Sequence, residues 1–130
     1  MARSMSFTIP LAPIAWQRAG LNGKHFFDKQ HKEKLFVNIY LIQQLHGQPI
    51  FSKAVKMSIL FCMPTPKYLQ KSKTLPPHDK KPDLDNLEKF LLDSISNGVL
   101  LSDDCLVCSV SKEKVYDKNP RTEFTITEVF

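Results

Sequence analysis

The chain has 130 residues, a net charge of +5, 42% hydrophobic and 24% charged residues. That is enough for one modest core and too little for two, so a single domain spanning 1–130 is expected. The composition excludes wholesale disorder, and no apolar run approaches the ~20 residues of a membrane span. Met1 to Ser6 is not followed by an apolar signal region, which makes an intracellular protein with no membrane association the expectation. Three cysteines without such a signal argue against a disulfide framework.

Phe7-Thr8-Ile9 reads as a short first strand, after which Pro10 and Pro13 hold the chain extended. Trp16 to Lys24 mixes Arg18, Lys24, two glycines and an indole, and reads as a loop. His31 to His46 is the first helix. Leu35, Ile39, Ile42 and Leu45 recur at helical spacing, and Gly47 is placed to end it.

Lys53 to Met63 is the strongest strand. Val55, Met57, Ile59, Phe61 and Met63 alternate, and Leu60 with Cys62 add apolar weight to the other face, as in a central strand. From Pro64 to Pro82 there is no apolar period, so this is a long surface loop. It carries Lys67, Lys71, Lys73, Lys80 and Lys81.

A second helix opens near Asp83 or Asp85, where Asp85 and Glu88 fit a capping box. Leu87, Leu91 and Ile95 share one face, and Asn97-Gly98 ends it. Cys105–Val115 and Arg121–Val129 read as strands joined by a hairpin turn at Asp117-Lys118-Asn119-Pro120. The order predicts an α+β domain: a two-layer sandwich, a mixed sheet with helices packed on it.

The chemistry-bearing segment is Lys81-Pro82-Asp83-Leu84-Asp85-Asn86-Leu87-Glu88-Lys89, followed by Ser102-Asp103-Asp104. If Asp83 and Leu84 are still extended, the Asp83 and Asp85 carboxylates point the same way. They make half of a hard-cation site that Asp104 can complete. Mg²⁺ takes such oxygens and keeps open positions for water and a phosphodiester. Lys89 lies one helical turn beyond Asp85. Each residue also has an ordinary reading: a helix cap, a surface ion pair, a solvated turn. Asp83 and Asp85 cannot both cap one helix, however, and clustered carboxylates repel unless a cation or proton intervenes.

This segment, with Asp93, the Asp103-Asp104 pair and a strand carrying Lys112 and Lys114, resembles the RusA family of Holliday junction resolvases. The opening Ile9-Pro10, Pro13 and Gln17-Arg18 is also similar, as is Thr125-Ile126-Thr127-Glu128. Some members carry Arg before the first Asp, where this chain has Lys80-Lys81-Pro82. The resemblance implies a homodimeric, Mg²⁺-dependent endonuclease that nicks four-way junctions symmetrically, in a bacterial or phage-encoded cytoplasmic setting; Mn²⁺ is the expected substitute metal. It implies that Asp83, Asp85 and Asp104 are the essential carboxylates and metal ligands, with Asp103 as a further candidate and Lys89 as the catalytic lysine. The basic balance suits a polyanion. Under this reading the loop lysines, Lys67, Lys71, Lys73, Lys80 and Lys81, line the DNA face, and Arg18 beside Trp16 is a further DNA contact, with a hydrophobic anchor as the equal alternative for Trp16. A protein that holds branched DNA without cutting it, and a nuclease on flaps or other branched DNA, are the alternatives.

Cys105-Leu106-Val107-Cys108 has CxxC spacing, but within a strand residues three apart face opposite sides. No redox or metal role is expected of it. The four histidines show no ligand spacing and read as surface or loop residues.

Overall fold

A computed structural model describes residues 2–129. Its strands are β1 (Ser4–Ile9), β2 (Gly20–Asn22), β3 (His25–Phe27), β4 (Val55–Pro64), β5 (Val107–Asp117) and β6 (Arg121–Glu128). Its helices are α1 (His31–Leu45) and α2 (Leu84–Ile95). The architecture is α+β, as the element order predicts. A mixed four-stranded sheet runs in the order β1-β6-β4-β5, with both helices contributing to one core.

β4 is central. It pairs parallel with β5 on one side and antiparallel with β6 on the other. Its alternating Val55, Met57, Ile59, Phe61 and Met63 are all buried, and Cys62, on the other side, is buried too. Phe7, Phe124 and Ile126 extend the same layer towards the β1 edge. Val37, Leu41 and Leu45 of α1, with Leu87, Phe90, Leu91 and Ile95 of α2, close it from above. The opposite sheet face is a shallow groove lined by Ser6, Thr8, Ser58, Ser111 and Thr125 among others. There the hydroxyls pair across strands, Ser6 with Thr125 at 2.7 Å and Ser4 with Thr127 at 3.0 Å.

Four expectations need correction. First, Asp117 to Pro120 reverses the chain but closes no hairpin, because β5 and β6 are separated by β4. The turn instead straddles the end of β4, whose Pro64 is opposite Asp117. Turn residues report a reversal of direction, whereas partnership is decided by which strand is apolar enough to be central. Second, the inward face of α1 is Val37, Leu41 and Leu45, while Leu35, Ile39 and Ile42 are about half exposed. Apolar residues stand on two opposite sides of the helix, so spacing alone picks no face. Third, residues 16–24 are not wholly a loop: β2 and β3 pair as a small hairpin. The Phe27 ring, itself half exposed, lies over Gly20, where an added Cβ would push it aside. Fourth, Asp83 is the N-cap of α2 and Asp85 lies in its first turn, so Asp85 and Glu88 form no capping box.

Candidate active site

β4, the long loop, α2 and β5 form one crossover unit. Its loop is pinned to β5 at two places. The buried His78 ring packs 4.6 Å from Tyr116, which takes His78 out of the surface role its sequence context suggests. Lys114 Nζ donates to the carbonyls of Lys80 and Pro82, the latter at 2.8 Å. These contacts deliver the chain, through a cis Lys81–Pro82 peptide, to the start of α2. Lys67, Lys71, Lys73, Lys80 and Lys81 all remain exposed along the way, as does Arg18.

Asp83 has extended backbone, and its carbonyl accepts the Leu87 amide at 3.1 Å. Leu84 is already helical, so only the first residue of the Asp83–Asp85 pair is extended. The Asp83 side chain accepts no capping hydrogen bond. Its carboxylate is exposed, and the cap role explains its backbone but not its charge.

Asp85 points into solvent with its side chain 92% exposed, and its Oδ1 accepts from Lys112 Nζ at 2.9 Å. Lys112 also meets Glu88 at 3.2 Å. Burial pulls the Lys112 ammonium down, but the hydrogen bonds to Asp85 and Glu88 outweigh it and hold its pKa above the ordinary lysine value. Lys89, one turn after Asp85, places its ammonium 3.6 Å from the centre of the Trp16 ring. The Trp16 amide donates to the Asn86 carbonyl at 2.9 Å, which ties this segment to the first turn of α2. Trp16 is thus a half-buried anchor under Lys89.

The second acidic segment lies along the other half of α2. Asp103 caps a short 3₁₀ turn, Asp104–Leu106, by accepting the Cys105 amide at 2.9 Å. That bond holds the Asp103 pKa low. The Asp104 pKa is raised, first by its hydrogen bond with Asp103 and then by the like charges of Asp103 and Asp93. Asp93 also approaches Lys34 of α1 at 3.9 Å. Asp85 and Asp93 are eight residues apart, about 12 Å along a helix axis.

The structure therefore brings Asp83, Asp85, Glu88, Lys89 and Lys112 to the start of α2, while Asp103 and Asp104 lie in the turn before β5, with Asp104 feeling the charge of Asp93. Among the described residues, no group of three or more His, Cys, Asp or Glu side chains is placed to hold a metal ion. The exposed oxygens of Asp83 and Asp85 have the chemistry a hard cation prefers, so the donors fit; the third carboxylate is not beside them. Cys105 and Cys108 are free, with Cys105 in the 3₁₀ turn rather than in a strand.

Sequence reasoning did not assign the Lys112–Glu88 contact or the Trp16 platform. A signal for the first exists: Lys112 and Lys114 alternate with outward residues on β5, so both face the helix layer among Val110 and Tyr116. No local signal marks Trp16, which is far from Lys89 in the chain.

Among known proteins, the family model described as Endodeoxyribonuclease RusA matches residues 10–127. The chain is also similar to the Uncharacterized protein YqaN of Bacillus subtilis (strain 168). The two are 30% identical over 138 aligned positions, which cover 96% of each chain. With a match over nearly its whole length, the chain belongs to the RusA family of endodeoxyribonucleases.

Proposed function

We propose that this single-domain chain is a Mg²⁺-dependent endonuclease that resolves four-way DNA junctions by paired nicks, working as a homodimer in recombination and repair. The observation that carries this reading is the start of α2. There Asp83 offers an exposed carboxylate with no capping role, next to Asp85, Lys89 and Lys112. Asp83, Asp85 and Asp104 are the proposed metal ligands, with Asp103 as a further candidate. Bound Mg²⁺ would supply Lewis acidity at the phosphodiester and a more acidic water.

The chain's own groups do the rest. Lys89, held on the Trp16 ring, presents a cation to a phosphate oxygen on which negative charge builds. Lys112 fixes one oxygen of Asp85 and leaves the other free. The exposed lysines at 67, 71, 73, 80 and 81, with Arg18, bind the sugar-phosphate backbone through charge, so affinity should fall steeply with salt. A bacterial or prophage source and a cytoplasmic setting belong to the same proposal. No described helix is long and apolar enough to cross a membrane.

The experiment is cleavage of a synthetic four-way junction with Mg²⁺, comparing wild type with Asp85→Asn. Wild-type nicking that the substitution abolishes supports the reading. Equal nicking by both proteins, or none by the wild type, overturns it. A non-cleaving junction-binding protein is the second reading, favoured because Asp83, Asp85 and Asp104 do not gather into a three-carboxylate group among the described residues. Junction binding that ignores Mg²⁺, with no product under any metal, selects it. Competition between junctions, flaps and single strands tests whether another branched DNA is preferred.

A further inference from the structure

α1 buries Val37, Leu41 and Leu45, yet its opposite side is also apolar. Leu35 is 49% exposed, Phe36 60%, Ile39 55% and Ile42 57%. A helix that lies on a core normally turns a polar face to water, whereas α1 sets these four apolar side chains there beside the exposed polar Glu33 and Gln43. The spacing of the outward residues is specific: Lys32, Leu35, Ile39, Ile42 and His46 are separated by three, four, three and four positions. That is the seam of a two-helix coiled coil, narrower than a core-facing stripe.

We propose that this seam is where a second copy of the chain docks, by antiparallel packing of α1 against α1 across a two-fold axis at Ile39. In that arrangement Leu35 of each copy meets Ile42 of the other, so the same apolar surface serves both sides, as an isologous contact requires. The charges agree with the antiparallel sense. The last turn of α1 has no basic residue of its own, while Lys32 lies at its start. Antiparallel packing brings each Lys32 to the electronegative C-terminal end of the other helix, and parallel packing brings like ends together.

The area suffices. Four half-exposed side chains leave about 400 Å², the size of the largest patch on an ordinary monomer. Such a patch is about half of the roughly 800 Å² each copy gives to a standard interface, the share expected of its apolar centre inside a polar rim. The hydroxyl-lined open face of the sheet needs no such cover, because its polar groups are content in water.

This inference gives the proposed homodimer its surface, but its test uses no DNA and stands or falls apart from the nuclease reading. Sedimentation equilibrium of the full chain should show a dimer, and Ile39→Asp should weaken it roughly 100-fold or more, since the charge enters twice across the axis. Ile39 is half exposed, so the variant should keep the wild-type circular dichroism, while its melting temperature loses the concentration dependence that a dimer gives. In a Cys105→Ser/Cys108→Ser background, Ile39→Cys should cross-link to itself under mild oxidation. Leu35→Cys should cross-link only when mixed with Ile42→Cys. A monomeric wild type, a dimer indifferent to Ile39→Asp, or Leu35→Cys self-cross-linking in preference to the mixed pair would overturn the proposal.

Discussion

Lys112 donates to the Asp85 carboxylate at 2.9 Å, from β5 to the first turn of α2, and reaches Glu88 with the same ammonium at 3.2 Å. One cation therefore fixes the rotamer of an otherwise exposed acidic side chain. Lys112→Met should lower nicking by about 10- to 100-fold through loss of that position, with a stability cost of no more than about 1 kcal/mol because Asp85 is solvent-screened. The Lys112 pKa is raised, so its contribution is complete below the ordinary lysine value and is lost as pH rises through the folded value. The stability difference between wild type and variant should thus be flat from neutral to mildly basic pH and shrink only in strong base. Thermal melts across pH, with single-turnover rates, check both.

Asp83 separates the capping role from the chemical one. Its carboxylate makes no cap hydrogen bond, so Asp83→Asn should change stability by less than about 0.5 kcal/mol. Nicking should fall roughly 100-fold or more if the carboxylate is a metal ligand. A stability loss of a full cap, about 1 kcal/mol, with activity retained would assign the residue to the helix instead.

Lys89 and Trp16 are coupled through their 3.6 Å contact. Lys89→Gln should cost roughly 100- to 1000-fold in rate with little effect on folding. Trp16→Leu removes the platform and should cost roughly tenfold in rate, while Trp16→Phe keeps a weaker ring and stays near wild type. In the Lys89→Gln background Trp16→Leu should have no further effect on rate. Full additivity in that double-mutant cycle would show that the two act separately.

Asp103 and Asp104 should part company in acid. The Cys105 amide holds Asp103 low, whereas the shared hydrogen bond and neighbouring charges hold Asp104 high. On lowering pH, carboxyl ¹³C shifts should show Asp104 taking its proton first and Asp103 last. The sign for stability is opposite in the two. The favourable contribution of Asp103 is present above the ordinary carboxylate value and is lost as pH falls through its depressed value, while protonation of Asp104 relieves repulsion as pH falls through its raised one. Cys105→Pro, which deletes the amide donor, should move Asp103 back towards an ordinary aspartate.

The acidic motif, the two helices, the central β4 and the α+β class were legible in the sequence because each rests on local periodicity or on residues close together in the chain. Alternation along Val55 to Met63 needs only the pleat, and Asp83 and Asp85 are neighbours at one helix start. Tertiary structure alone decided what depends on which surfaces meet. It placed β6 beside β4 rather than β5, although the turn at 117–120 joins β5 directly to β6. It chose Val37, Leu41 and Leu45 over Leu35, Ile39 and Ile42, a choice that two apolar sides of one helix could not signal. At the acidic site, it turned Lys112 inward onto Asp85 and Glu88 and stacked Lys89 on Trp16. Those contacts join residues far apart in the chain, and only the closure of the β4–α2–β5 unit brings them within reach.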